Sequence, residues 1–406
     1  MTAFPSKIEQ LTPELMTALL RKCEPNVGVE KVTITEHAQC GDGLASTADR
    51  IGLALTYQTG TQGSLPSQMK LKTILLHKLF RFGMPMILGT ANAVKALEKV
   101  PVLGRLSAPF IFTLINIYQR YFPHAPEAMY RNEVNFYALL RHELDIEAPA
   151  SYASLINQHD GQFGILMEDL SLRQARFPNA IDGVSLEEMQ SLIKNIAQLH
   201  AQYWQSPRLD ADLSWLPRTY EGGMYPVFDA IGLNIIRDQV AKNTFKQQLI
   251  APLNRSVDEL WQVMWKSQHI IYQQPHTVLH GDTHIANTYV LPGNEGGLLD
   301  WQLIVRGPWC HDIAYLMITG LDIETRRIHE KSLLNLYRET LLEKGVKNVP
   351  NEDEAYLLYR QSAIWGLVIG WLITPPQNYG EAITSANIHK MVTAMVDLDT
   401  LGSLQS

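Results

Sequence analysis

The chain has 406 residues, 46% hydrophobic and 18% charged, with a net charge of −7. That much apolar material exceeds one compact core, so two lobes or two domains are expected and a disordered chain is excluded. The acidic balance argues against a dedicated nucleic-acid binder. Three widely spaced cysteines, Cys23, Cys40 and Cys310, cannot build a disulfide framework or a four-cysteine zinc site. Their number suits a reducing, cytoplasmic setting. The opening MTAFPSKIEQ lacks a signal-peptide layout, and no apolar run reaches the roughly 18 residues of a spanning helix.

In chain order, Thr12-Pro13-Glu14 predicts a capped helix start: a hydroxyl N-cap, a proline at the first position and an acid at the positive dipole end. Strands are predicted at Lys31–Thr35, Arg50–Gln58 and Gln68–Ile74. In the third, Met69 and Leu71 alternate with Lys70 and Lys72. A long helical stretch runs to about residue 120, followed by a helix from about Pro126 to Leu144. Gly164–Met167 reads as a short apolar strand. From Leu186 onward the period is helical, broken by short strands and loops over Thr277–Gly297.

Charge is unevenly distributed. Between Lys70 and Arg120 there are eight Lys or Arg against one acid, Glu98, a net +7 that leaves −14 on the rest. The plain expectation is an inserted helical pair with a solvated basic face. The sharper one is a surface that meets anionic lipid or an acyl-bearing substrate.

The string His280-Gly-Asp-Thr-His-Ile-Ala-Asn287 fits H-x-D-x-x-x-x-N, the spacing of a kinase catalytic loop. An Asp there can accept the proton of an attacking hydroxyl. An Asn five residues later can turn its oxygen toward Mg²⁺ on ATP phosphates. Thirteen residues on, the apolar run Gly296-Gly-Leu-Leu ends in Asp300, where a second hard-oxygen ligand belongs. His280 and His284 are expected to hold loop backbone rather than take part in chemistry.

The string HGDTHIANTYV…GGLLDWQL…RGPWCHDIAYLM resembles the aminoglycoside phosphotransferase and choline kinase superfamily, nearest its ecdysteroid-kinase-like branch and bacterial relatives. The resemblance is strong over residues 277–317 and weaker back to about residue 31. It implies a protein-kinase-like, two-lobed α+β fold and an ATP- and Mg²⁺-dependent phosphotransferase with an alcohol acceptor. In that reading Asp282 is the catalytic base, Asn287 and Asp300 bind Mg²⁺, and Asp312 buttresses the loop. The branch lacks the Phe-Gly that follows the metal-binding Asp of protein kinases, and this chain has Trp301-Gln302 there.

Such a fold needs a strand lysine paired with a helical glutamate to hold the phosphates. Lys70 and Lys72 face the same way, so spacing does not choose; the family places the lysine directly before Thr, which selects Lys72. Glu133 shares a helical face with Phe136, Tyr137, Leu140 and Leu144, and an acid in an apolar stripe needs a partner. The alternative is an early-helix glutamate favoured by the dipole. Gly41, Gly43 and Ser46 form a Gly-containing turn between strands, where a phosphate-covering loop belongs, although the last position departs from G-x-G-x-x-G. Met167 and Glu168 resemble the hinge that meets adenine. ATP is thus expected between the lobes, with adenine near Met167 and phosphates near Lys72, Asn287 and Asp300.

The expected organisation is residues 1–168 as a nucleotide-binding N-lobe, with a helical insertion at about 75–125, and 169–406 as the catalytic and acceptor-binding C-lobe. Ala125-Pro126-Glu127 precedes the catalytic loop, so it is not the A-P-E of a protein kinase, and the acceptor should be a small molecule. Trp365, Trp371, Tyr379 and the run Ile364–Thr374 suit a pocket for a bulky, mostly apolar alcohol; core packing explains them equally well. Two other classes are weighed. One is a zinc hydrolase using His276, His280 and His284, against which Gly281 and the β-branched Thr277-Val278 argue. The other is an inactive kinase-like binding module. No nucleic-acid partner is expected, and oligomeric state is not legible.

Overall fold

The computed structural model describes residues 4–5, 7–39, 48–75, 127–157, 162–219 and 228–405. The Gly41, Gly43 and Ser46 turn, Cys40, Ala125-Pro126 and nearly all of the basic insertion lie outside the described residues. The chain divides into two compact units. One is Met1–Glu143 with Pro149–Arg173; the other is Leu144–Ala148 with Gln174–Ser406.

The first unit opens with α1 (Pro13–Leu20). Thr12 caps it by accepting the Leu15 N–H at 3.3 Å, and Pro13 takes the first position as expected. Its buried face, Met16, Leu19 and Leu20, packs on an antiparallel sheet. Each such side chain contributes ~1.5–3 kcal/mol by leaving water. The strands are β1 (Val29–Ala38), β2 (Asp49–Tyr57) and β3 (Gln68–Thr73). After α2 (Glu127–Asn135) come β4 (Ser151–Ile156) and β5 (Phe163–Glu168), giving the order β1-β2-β3-β5-β4. Alternation decides the faces: Met69 and Leu71 of β3 are buried with Ile51, Leu53 and Leu55 of β2, which leaves Lys70 and Lys72 on the opposite face.

The helix expected to run to Leu144 keeps α-helical hydrogen bonding only to Asn135. A π turn, Phe136–Leu140, and a 3₁₀ turn, Arg141–Glu143, follow. The wider turn buries Phe136, Tyr137 and Leu140 together. Hydrophobic periodicity alone does not distinguish the two bonding patterns.

The second unit is mostly helical: α3 (Leu186–Tyr203), α4 (Leu233–Lys242), α5 (Thr244–Ile250), α6 (Val257–Ile271), α7 (Cys310–Gly320), α8 (Ile323–Glu343), α9 (Glu352–Ser362) and α10 (Glu381–Asp397). Ser185 and Glu188 close a capping box on α3, and Asn351 with Glu354 do the same on α9. Glu352, Asp353 and Glu354 form the first turn of α9, at the positive end of its dipole. Every residue of α7 is buried, so it is the axis of this unit. Between α6 and α7 lie β6 (His276–Leu279), β7 (Thr288–Leu291), β8 (Glu295–Leu298) and β9 (Val305–Pro308), paired β6 with β9 and β7 with β8. Among the described residues no helix is long and apolar enough to cross a membrane.

Candidate active site

In the first unit, Lys72 of β3 and Glu133 of α2 meet. The Lys72 Nζ lies 2.9 Å from Oε1 and 2.7 Å from Oε2, so the ammonium bridges both carboxylate oxygens. Glu133 is buried and Lys72 nearly so, the setting in which such a pair must form to offset desolvation. Lys70 instead turns to exposed Glu36 and, at 3.5 Å, to the largely buried Asp169. The two lysines share a face, and only Lys72 is aimed at the helix.

Met167 lies within the sheet, in register with Lys70 on one side and Ser151 on the other. The Glu168 N–H donates to Ala150 O at 3.0 Å. Its carboxylate accepts the Ala150 N–H at 3.1 Å and an Arg173 N–H at 3.3 Å. That side chain therefore closes the end of the sheet.

In the second unit, strand register brings the loop residues together. Thr288 pairs with Leu298 across the β7–β8 hairpin, so Asn287 and Leu299 face each other just beyond it, and the Leu299 N–H donates to Asn287 O at 3.0 Å. Asp300 is the next residue. It stands at φ 63°, ψ 72°, a left-handed backbone that Asp tolerates better than most residues and that costs energy all the same. Asn287 Nδ2 donates to Asp282 O at 2.9 Å and to Asp282 Oδ2 at 3.0 Å. Both partners are acceptors, so the amide nitrogen must face Asp282 and Oδ1 is turned the other way. Burial, then the Asp300 charge, push the Asp282 carboxyl up to about 7, against the Asn287 hydrogen bond.

Asp312, in the first turn of α7, holds this loop from beneath. Its Oδ2 accepts the His280 N–H at 2.7 Å and its Oδ1 the Gly281 N–H at 2.9 Å, while its backbone carbonyl accepts the Thr283 hydroxyl at 2.7 Å. Burial alone would raise the Asp312 carboxyl. The His200 hydrogen bond and the neighbouring His200, His311 and His280 outweigh it and hold the group below the usual range. His200 continues the buried stripe of α3. Its Nε2 meets Asp312 Oδ2 at 3.2 Å and its Nδ1 meets the Tyr337 hydroxyl at 2.8 Å. Thr319 Oγ1 accepts the Ile285 N–H at 3.1 Å. His200, Tyr337 and Thr319 have no motif of their own. The one signal in the sequence is a histidine within a mostly apolar helical face.

The histidines behave as loop supports. His280 is buried; Nδ1 accepts the Asp282 N–H at 3.3 Å, so Nε2 must carry the proton it gives to Leu299 O at 2.9 Å. His276 sits in β6 with Nε2 on Tyr272 O at 2.9 Å. His284, buried, stands just before a 3₁₀ turn, Ile285–Asn287, with Nε2 3.8 Å from Asp282 Oδ2. Their four-residue spacing falls on a strand, a loop and a turn rather than one helix. Among the described residues no group of three or more His, Cys, Asp or Glu side chains could hold a metal ion.

Gly281 is required twice over. Its φ is +83°, and a Cβ there would run into the Leu303 carbonyl oxygen, which is backbone and cannot swing away. Gly281→Ala is expected to cost about 1–3 kcal/mol and to lower activity with it. An unchanged denaturant midpoint in that variant would show that the loop can re-form around a side chain.

The expected aromatic wall divides. Trp371 is core, whereas Trp365 and Tyr379 are half-buried. Rings of Tyr315, Trp371 and Tyr379 surround His284 at 5.9, 5.6 and 5.9 Å between centroids, and Trp365 stands 4.3 Å from His311.

Residues 113–348 match the model of the ecdysteroid kinase-like family. No curated protein sequence matches the chain. Similar solved structures include a microcompartment-associated aminopropanol kinase (11% identity, 96% of this chain and 98% of that one, TM-score 0.43). A spectinomycin phosphotransferase in complex with ADP and spectinomycin has 11% identity, 96% and 99% coverage and a TM-score of 0.45. A choline kinase from Cryptosporidium parvum Iowa II has 10% identity, 96% and 97% coverage and a TM-score of 0.46. The described residues form a mixed α+β architecture, with a five-stranded antiparallel sheet in one unit and mostly helices in the other. With its family model matched over more than half its length, the chain belongs to the ecdysteroid kinase-like family, phosphotransferases that act on alcohol groups.

Proposed function

We propose that the protein is an ATP- and Mg²⁺-dependent kinase that transfers the γ-phosphate to a hydroxyl of a bulky, mostly apolar small molecule. The observation that carries this reading is the junction of Asp282 and Asn287 at the mouth of the β7–β8 hairpin, with Asp300 next in line. The donor set suits the metal: Asn287 Oδ1 and the Asp300 carboxylate are hard oxygens, and Mg²⁺ usually takes one or two protein ligands beside phosphate. When bound, Mg·ATP supplies the phosphoryl group and the charge that polarises it.

The chain's own residues do the rest. Asp282 is placed to accept the proton of an acceptor hydroxyl, whose oxygen would take the γ-phosphoryl group as the bond to the ADP leaving group breaks, and a carboxyl near 7 is matched to that task. Asn287 holds the Asp282 side chain, and its amide oxygen would be a ligand for the metal. Asp312, through two loop N–H groups, keeps both in place before substrate arrives. Lys72, fixed by Glu133, supplies a positioned cation for phosphate oxygens. Half-buried Trp365 and Tyr379 suit an apolar acceptor.

The test is ATP consumption with Mg²⁺ across a panel of alcohols that includes a sterol, a macrolide and a hydroxyacyl thioester. Phosphorylation of an apolar member supports the reading. Turnover with zinc that chelators abolish, or no Mg²⁺-dependent turnover with any alcohol, overturns it. In the same assay Lys72→Ala raises the apparent KM for ATP, while Lys70→Ala leaves it near the parent value. The reverse order would assign the phosphate contact to Lys70.

A further inference from the structure

Lys246, on α5, is fully buried, and among the described residues no carboxylate pairs with it. Its ammonium donates instead to three backbone carbonyls: Trp371 O at 3.1 Å, Leu372 O at 3.0 Å and Thr374 O at 2.7 Å. A buried cation is costly unless all its donors are used, and here three acceptors are available for three N–H bonds. Those carbonyls close the π turn Gly366–Leu372, where a helix end leaves acceptors unpaired and the dipole is negative. Burial pulls the Lys246 pKa down to about 8. For stability alone a well-packed apolar residue commonly serves as well as a buried charge. What the ammonium adds is geometry: it fixes where the chain turns after Trp371.

The held segment adjoins the chemistry. Trp371 lies 5.3 Å from Tyr379, both rings stand edge-on to His284, and His284 Nε2 is 3.8 Å from Asp282 Oδ2. On its other side the π turn seats Tyr315 against Gly370, where a Cβ would strike the Tyr315 hydroxyl. Single π turns of this kind recur at functional sites.

We infer that Lys246 is a positioning residue that clamps the end of the π turn, holds the Trp371–Tyr379 wall against His284 beside Asp282, and thereby sets which alcohol is accepted. The inference rests on the kinase reading above for its consequence, and on the three carbonyl contacts for its geometry. Lys246→Met keeps the stem and removes the donors; Lys246→Arg keeps a cationic donor. Three readouts are taken on the full chain: the His284 ring signal by NMR, identified by its loss in His284→Gln; amide exchange by peptide; and affinity for a fluorescent ATP analogue with Mg²⁺. In Lys246→Met the His284 signal moves by more than its line width, and exchange over residues 366–380 quickens about 10-fold or more while the rest of the second unit keeps its protection. Nucleotide affinity stays at the parent value, and Lys246→Arg restores the first two. For a panel alcohol that the parent phosphorylates, the KM for that alcohol rises and the KM for ATP does not. An unmoved His284 signal, exchange that quickens uniformly across the second unit, or equal changes in both KM values overturns the proposal. If Lys246→Met does not fold, Lys246→Gln, which keeps one donor group, decides by the same shifts. A parent without Mg²⁺-dependent turnover would sink the kinase reading and leave the clamp to be judged by the NMR and exchange data.

Discussion

Asp282→Asn is expected to bind Mg·ATP as the parent does and to lose about 10²- to 10⁴-fold in phosphate transfer, the usual contribution of a positioned base. The variant isolates the base because an amide oxygen at this position can still accept the Asn287 N–H bond that now goes to Asp282 Oδ2. The scaffold of the loop is untouched, since its Asp312 contacts run through the His280 and Gly281 backbone. Single-turnover transfer and equilibrium nucleotide binding, measured on the same preparation, separate the two effects. Undiminished transfer would remove Asp282 from the mechanism. Weakened binding with normal transfer would reassign it to holding the nucleotide.

Asp312→Ala carries the largest expected loss of stability. It leaves the His280 and Gly281 N–H groups, both buried, without their carboxylate, and strips His200 of one partner. Orphaning buried donors costs ~1–3 kcal/mol each, so a total on the order of 3–5 kcal/mol follows. In a chain of this size that is on the order of 10 °C in Tm. Asp312→Asn should fall between, because an amide offers only one acceptor oxygen where the carboxylate offers two. The pH dependence has a definite sign. A carboxyl held below its ordinary value in the folded protein contributes stability that is fully present above the unfolded pKa, near 4, and is lost as pH falls through the folded value. The gap between parent and Asp312→Asn should therefore narrow on acidification below about pH 4. A gap that stays constant down to low pH would show that the carboxylate charge is not what binds the loop.

How much of this was legible beforehand follows from contact distance along the chain. Asp282, Asn287 and Asp300 lie within one loop and one hairpin, so a short spacing pattern and an apolar strand were enough to nominate them. The N-caps of α1 and the alternation of β3 are equally local. Three described segments that read simply as helical, Phe136–Leu140, Phe228–Gly232 and Gly366–Leu372, form π turns, because an apolar stripe looks alike whether the bond closes four or five residues back.

What the sequence by itself determined was the family and the α+β class; it also nominated the three loop residues proposed above as the site, since each depends on neighbours a few positions away. Spacing alone did not separate Lys72 from Lys70 and only the family pattern favoured Lys72, which the structure places against Glu133, 61 residues on; only the tertiary structure decided that His200 reaches Asp312 and Tyr337 over 112 and 137 residues, and that Lys246 is buried against three carbonyls. Each of these is a polar group whose partner is chosen by burial. A lysine or histidine in a helix looks the same in sequence whether water or three carbonyls satisfy it, and folding alone removes the water.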